Sequence, residues 1–248
     1  MSRFARLAAL AFGLVLLWSF PAAAQEFNLD LGEEGTLTGR VIQLILLLTV
    51  LSLAPSILIV VTSFTRIVVV FSLLRSALGT QQTPPNVVLI SLALFLTAFI
   101  MAPTFQSAYD AGLKPLMAEE ITEEEAFPLV TAPFRDFMLR HVREKDLELF
   151  LDMSGNGDVD EAGEVPLTAL IPAFMISELR RAFEIGFLLY VPFIVIDLVI
   201  ASILMSMGMM MLPPVMISLP FKLIFFVLVD GWHLVAGSLV QSFPPGVT

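Results

Sequence analysis

The segment from Ile185 to Phe221 carries one formal charge, at Asp197, and is interrupted by Pro213-Pro214. The apolar parts on either side are suited to membrane-type helices, for which about 20 residues are needed to cross a bilayer. Paired prolines cannot continue a helix, and they bias the preceding residue away from the helical region. The sequence therefore predicts an antiparallel hairpin of two apolar helices, with residues 205–216 at its tip.

Half of the twelve methionines lie in this tip, among them Met209, Met210 and Met211. Methionine is unbranched, apolar and polarizable, so a cluster of methionines can repack around partners of changing shape while still excluding water. Two interpretations follow from the residues alone. The tip is either a deformable seal, or its methionines are core filler or lipid contacts.

Composition places the chain among membrane proteins, since 57% of its residues are hydrophobic and its mean hydropathy is +0.90. The formal charge of −10 is concentrated between Asp110 and Glu184, and no basic surface suited to nucleic acid is present. The absence of cysteine excludes disulfides and thiolate chemistry. No nucleophile motif or dinucleotide fingerprint is recognisable, and we interpret His141 and His233 as surface or interfacial. The sequence thus predicts neither an enzyme nor a bound cofactor or metal.

The N-terminus has the three parts of a secretory signal peptide: two arginines, an apolar run over 7–20 and small residues at 22–24. We expect residues 1–24 to be cleaved, the alternative being a retained first membrane helix. Residues 25–40 are acidic and poor in large hydrophobic side chains, which predicts a mobile tail.

A first hydrophobic helix pair is expected over 41–104. Val41 to Leu74 is apolar apart from Arg66 and predicts one long helix bent at Pro55. An arginine in such a setting either reaches an interface or pairs with an acid of another segment or subunit. The second member, Val87 to Ala102, is only about 24 Å long as a helix, short of a bilayer core of about 30 Å. It either extends through uncharged neighbours or is buried in protein.

Residues 105–184 predict an acidic, soluble helical region between the hydrophobic pairs. Thr131 is a candidate N-cap of a helix whose second residue is Pro133. The loop 152–164 resembles a calcium-binding loop, but its twelfth position is Gly163 where a bidentate glutamate is required. An acidic surface loop is therefore favoured over a cation site.

The second hydrophobic hairpin, 185–243, contains three charged residues outside its tip: Asp197, Lys222 and Asp230. A short tail over 244–248 follows it. Charged groups inside apolar helices face a protein interior or cavity and seek each other, so we predict that Asp197 pairs with Lys222, within one chain or between neighbouring chains. A proton relay, or a small-solute transporter or ion channel that uses Asp197, Lys222 and Asp230, is the alternative.

Four long segments resemble the FliP family, the flagellar export-gate proteins of bacterial type III secretion. They are Leu73–Asn86, Leu170–Leu179, Ile196–Pro214 and Leu219–Trp232. The resemblance extends over nearly all of the chain from Val41 to Phe243.

The resemblance implies an all-α membrane protein that forms a pore in the bacterial inner membrane, with a large part on the periplasmic side of the flagellar basal body. It implies five copies assembled with FliQ and FliR, beside FlhB and FlhA. Unfolded flagellar subunits would pass through the pore of this assembly. Met209, Met210 and Met211 match a methionine loop that seals the closed pore. Glu178 matches a position implicated in subunit assembly, and Asp197 and Lys222 match charges between packed helices.

Overall fold

The computed structural model describes residues 37–155, 165–209 and 211–243. All regular elements in these ranges are helices, which confirms the predicted all-α membrane fold. The helices are α1 (Leu37–Val60), α2 (Phe64–Leu78), α3 (Asn86–Ala108), a π-helical turn (Tyr109–Leu113), α4 (Lys114–Met117), α5 (Glu123–His141), α6 (Glu144–Ser154), α7 (Leu167–Ser206), α8 (Pro214–Leu228) and α9 (Gly231–Gln241). The predicted signal peptide, residues 25–36 of the predicted acidic tail, the C-terminal tail and most of the calcium-like loop lie outside the described residues. Residues 37–40 of the predicted tail are in α1.

The chain divides into two units, residues 1–51 and 52–248. Of the first unit, the structure describes the beginning of α1, in which the Thr49 hydroxyl donates to the Ile45 carbonyl at 2.7 Å. Leu46 and Leu48 are exposed there. All other described elements belong to the second unit.

The break in the first hydrophobic segment lies at residues 61–63, so the prediction of one helix bent at Pro55 is wrong. Pro55 is inside α1. At the break, the Thr62 hydroxyl donates to the Ile59 carbonyl at 3.1 Å and accepts from the Phe64 amide at 3.4 Å. Such side-chain bonds offer the backbone an alternative to continuing the helix.

The helix expected over Val87–Ala102 extends in both directions. Together with the π-helical turn and α4 it forms one helical run of 32 residues, Asn86–Met117, with Pro103 inside it. This run and the 40-residue α7 are the two described helices long and apolar enough to cross a membrane, or three if the bent pair α8 and α9 counts as one span. At 1.5 Å per residue α7 is about 60 Å long, which exceeds the thickness of a bilayer core.

The N-cap of the acidic helix α5 lies nine residues before Thr131, so the predicted N-cap is wrong. Thr122 caps this helix: its hydroxyl accepts from the Glu125 amide at 3.4 Å, and the Glu125 carboxylate accepts from the Thr122 amide at 2.9 Å. This reciprocal capping box satisfies two amides that would otherwise have no partner. Thr131 and Pro133 lie in the helix interior.

Two hydrophobic clusters hold the second unit together. The first joins α2, α3, α7, α8 and α9, and the second joins α3, α5, α6 and α7 with Phe243. Met101 of α3, Phe137 of α5 and Phe174 of α7 meet in the second cluster. The acidic helices therefore pack against the hydrophobic ones, and the expected boundaries after residues 104 and 184 fall inside α3 and α7.

The second arm of the hairpin is bent by 62° between α8 and α9. Asp230 at the bend has a φ of 50°, in the left-handed region. Gly231 follows immediately, and the Phe226 ring lies against its Cα, since a Cβ on Gly231 would be 2.1 Å from the nearest ring carbon. The direction of α9 thus depends on a residue without a side chain.

Candidate functional site

The tip of the hairpin is a closed helix end followed by an exposed loop. Gly208 has a φ of 74°; its amide donates to the Met205 carbonyl at 3.1 Å, and the Met209 amide donates to the Leu204 carbonyl at 3.0 Å. These two bonds form a Schellman motif, which satisfies the last carbonyls of α7 and needs glycine at the left-handed position. The loop then reaches Pro213, and Pro214 is the first residue of α8.

The described methionines of the tip lie on its surface. Met211 is 99% exposed, and Met205, Met207, Met209 and Met216 are also exposed. Met210 lies outside the described residues. Within the described part of the chain, therefore, these side chains do not fill a core, and lipid contact and a seal remain as interpretations of the tip.

The structure brings Asp197 and Lys222 together across the two arms of the hairpin. Lys222 Nζ lies 2.6 Å from Asp197 Oδ2 and donates to the Ala77 carbonyl of α2 at 3.1 Å. The Ser218 hydroxyl donates to Asp197 Oδ1 at 2.5 Å. The lysine is buried, while the aspartate side chain is 33% exposed. The pair thus fixes α8 against both α7 and α2.

Asp230 takes no part in this network. It is exposed and lies at the bend between α8 and α9. The hydrogen bonds of Asp197 and Lys222 go to each other, to Ser218 and to Ala77 in the described part of the chain. A relay that needs all three charges is therefore not assembled within this chain.

Arg66 and Glu178 form a second ion pair, which is fully buried. Arg66 Nε lies 2.8 Å from Glu178 Oε2, and Nη2 lies 2.5 Å from Oε1, while the two side chains are 1% and 0% exposed. Two parallel bonds of this kind are the strongest geometry for a guanidinium and a carboxylate. Of the two interpretations of Arg66, the structure favours the buried pair, and the acid belongs to the same chain.

The same guanidinium also contacts the two residues that follow α9. Arg66 Nη1 donates to the Ser242 carbonyl at 3.0 Å and to its hydroxyl at 2.9 Å, and the guanidinium carbon lies 3.6 Å above the centre of the Phe243 ring. A cation over an aromatic face is attracted by the negative charge density of the ring. Nothing in the sequence indicated these contacts, because Arg66 and Ser242 are 176 residues apart.

His141 is buried, so its interpretation as a surface or interfacial residue is wrong. It is 4% exposed and packs against Phe137 and Phe243, with ring centroids 4.5 and 5.2 Å away. Its Nδ1 lies 2.7 Å from the Phe137 carbonyl, which can only accept, so Nδ1 carries the proton. Burial, reinforced by the nearby arginines, lowers the pKa of His141 to about 4, and the ring is neutral at pH 7. His233 is exposed.

No group of three or more His, Cys, Asp or Glu side chains that could hold a metal ion is found among residues 37–155, 165–209 and 211–243. Most of the calcium-like loop is outside these ranges. The charged residues that the sequence singled out, apart from Asp230, form the Asp197–Lys222 and Arg66–Glu178 ion pairs.

Comparison with known proteins matches residues 47–239 to the model of the FliP family. The chain belongs to the FliP family. The matched residues include the methionine tip and both buried ion pairs, whereas Ser242 and Phe243 lie just beyond them.

Relatives in three bacteria carry the name flagellar biosynthetic protein FliP. The protein of Caulobacter vibrioides is 63% identical over 229 residues, which cover 91% of this chain and 86% of the relative. That of Bacillus subtilis is 56% identical over 202 residues, covering 82% of this chain and 91% of the relative. That of Aquifex aeolicus is 56% identical over 212 residues, covering 85% and 88%. This FliP-family chain therefore matches its relatives over most of their length.

Charge exchange tests whether the Asp197–Lys222 pair supports the hairpin of this FliP-family chain. Asp197→Lys or Lys222→Asp alone places two like charges next to each other. Each is expected to lower the free energy of unfolding by about 2–3 kcal/mol, less than for a fully buried pair, because Asp197 is partly exposed. The exchange variant carrying both substitutions should recover part of this loss. Thermal unfolding in detergent measures it.

The exposed pair Arg180–Glu184 is the matched control, because its reversal should change stability little. An exchange variant no more stable than either single variant would show that the two charges do not depend on each other.

Proposed function

We propose that this chain is a pore-forming, non-enzymatic subunit of the export gate of the bacterial flagellar type III secretion system. The names of its relatives support a role in flagellar biosynthesis, and its apolar helices support a place in the membrane. The gate would lie in the inner membrane with part of it on the periplasmic side, and would pass unfolded flagellar subunits. By its resemblance to the family, it would contain five copies with FliQ and FliR, beside FlhB and FlhA.

The observation that carries this proposal is the exposed methionine tip on a braced hairpin. The Asp197–Lys222 pair ties the arms nine residues below the end of α7, or about 14 Å along the helix. The Schellman motif then fixes the backbone at the tip. The end of α7 is thus fixed where the flexible thioether side chains begin, a combination suited to a seal that keeps its position while its surface adapts.

A ring of such tips can close a pore without charged groups. Hydrophobic constrictions exclude ions by losing their water, and unbranched methionine side chains can repack around a polypeptide as its side chains change. In this proposal Met209, Met210 and Met211 form the seal. The ring opens as the export substrate enters and closes again behind it.

Alanine substitution of Met209, Met210 and Met211 is expected to raise ion leakage through the closed gate several-fold, since each change shortens an apolar side chain at the constriction. The measurement is potassium efflux from vesicles that contain the chain assembled with its partner subunits. Met117→Ala/Met153→Ala is the control, because both methionines are exposed and lie away from the tip. An unchanged leak in the tip variant, with normal assembly, would reject the sealing role.

A further inference from the structure

A cavity of about 360 Å³ lies between α3, α5 and the end of α9. Its volume is within the range of sites that bind small ligands. The walls are mainly hydrocarbon, contributed by Phe99, Ile100, Pro103, Phe137, Val240 and Phe243. Polar groups come from Thr104 of α3, from Arg140 and His141 at the end of α5, and from Gln241.

The two rims of the cavity differ in polarity. Phe99 lines the cavity and is largely exposed, and Phe95, one turn earlier on α3, is exposed on the same side of the helix. Both belong to the apolar run Asn86–Met117, which is long enough to cross a membrane. At the other rim Arg140 is exposed, and its Nε donates to the Asp136 carbonyl at 3.2 Å. The cavity therefore joins an apolar surface to a rim that carries the Arg140 guanidinium.

His141 gives the cavity a hydrogen-bond acceptor. The ring lines the cavity, and its Nδ1–H donates a hydrogen bond to the Phe137 carbonyl. Nε2 is then the open nitrogen of a neutral ring, and no described residue donates to it. This nitrogen can accept a hydrogen bond and has no donor among the described residues, so it favours a ligand that donates one.

The charges around His141 favour an anion. The positive charges of Arg66, Arg140 and Arg181 all reach this ring. In the described part of the chain, Arg66 is paired with the Glu178 carboxylate, whereas Arg140 and Arg181 form no ion pair. Arg140, which lines the cavity, and Arg181, which does not, thus leave a net positive field at the His141 ring. A guanidinium binds phosphate with charge-assisted hydrogen bonds.

We propose that this cavity binds an anionic phospholipid with a hydroxyl-bearing headgroup, of the phosphatidylglycerol type. One acyl chain enters between α3 and α5, the phosphate accepts hydrogen bonds from Arg140, and a headgroup hydroxyl donates to His141 Nε2. Basic pockets beside membrane helices are suited to anionic lipid headgroups. The bound lipid would join α3, α5 and the end of the chain around the Arg66–Glu178 pair.

The test is a lipid titration of the purified full-length chain in neutral detergent, followed by thermal unfolding. Phosphatidylglycerol is expected to raise the melting temperature by several degrees, and phosphatidylcholine with the same acyl chains is expected to raise it much less. Arg140→Gln should weaken the response to phosphatidylglycerol about ten-fold or more, because a charge-assisted contact is lost. Val240→Phe, which fills the cavity, should abolish the response.

Arg180→Gln is the matched control, since it removes an equal charge from an exposed pair away from the cavity. It should respond like the unchanged chain. Equal responses to the two lipids, or an unchanged response in Arg140→Gln, would overturn the proposal. Because Arg140 is exposed, this variant decides the question even if Val240→Phe fails to fold. If phosphatidylglycerol has no effect while Val240→Phe reduces the number of copies in the assembled complex, the cavity is a protein interface, and the lipid proposal is likewise overturned.

Discussion

Replacing Arg66 with methionine is expected to lower the free energy of unfolding by about 3–5 kcal/mol, because it leaves the fully buried Glu178 without its counter-charge. For a chain of this size the melting temperature should fall by roughly 10 °C. The loss includes the bonds to Ser242 and the contact with Phe243, so the end of the chain should become accessible. Thermal unfolding in detergent and limited proteolysis at the C-terminus measure the two effects.

The double variant Arg66→Met/Glu178→Leu separates the cost of an isolated charge from the value of the pair. Two apolar side chains of similar volume carry no desolvation cost, so the double variant should be more stable than Arg66→Met alone. Arg180→Gln, in an exposed pair, should change stability little. A double variant as unstable as Arg66→Met would show that the bonds to the chain end, and not the buried carboxylate, account for the loss.

Replacing Gly231 with alanine is expected to destabilise the bend between α8 and α9 by about 1–3 kcal/mol or more. The added Cβ would lie 2.1, 2.2 and 2.6 Å from three atoms of the Phe226 ring, which is rigid and buried. The ring cannot turn aside easily, because it packs edge-on against Trp232 with centroids 5.4 Å apart. The fluorescence of Trp232 and its change on thermal unfolding, measured with Trp18 replaced by phenylalanine, report on this contact.

Gly237 provides the control on the same helix. A Cβ there would meet nothing within 4 Å, so Gly237→Ala should stabilise α9 by about 0.5–1 kcal/mol. The two identical substitutions are thus expected to have opposite signs. If Gly231→Ala also stabilised the protein, Phe226 would have to move freely, and the packing described for the bend would be incorrect.

The sequence predicted those features that depend on residues rare in apolar segments, namely paired prolines and single charged side chains. Two prolines in a long apolar segment predicted the hairpin. Asp197, the one charge of that segment, had few candidate partners. The ion pair with Lys222 followed for that reason. A single arginine in the first hydrophobic segment likewise predicted a buried partner as one of two options, but the identity of Glu178 depended on how distant segments pack.

The features that sequence reasoning missed depend on competition between local signals or on tertiary packing. Thr62 ends α1 through its own hydrogen bonds, whereas Pro55 is tolerated inside the helix. At α5, a reciprocal capping box outcompetes the weaker threonine signal at Thr131. The burial of His141 follows from its packing against Phe243, more than 100 positions away in the chain.

Cross-linking from the methionine tip tests the central claim most directly. The chain contains no cysteine, so Met211→Cys introduces its only thiol. Met153→Cys is the matched control, because Met153 is also exposed, at 75%, and lies on α6, outside the tip. In cells holding an export substrate stalled in the gate, a thiol-directed photo-cross-linker at residue 211 is expected to capture that substrate, while one at residue 153 is not. Capture of lipid alone from residue 211, with the substrate stalled and the gate assembled, would contradict the account.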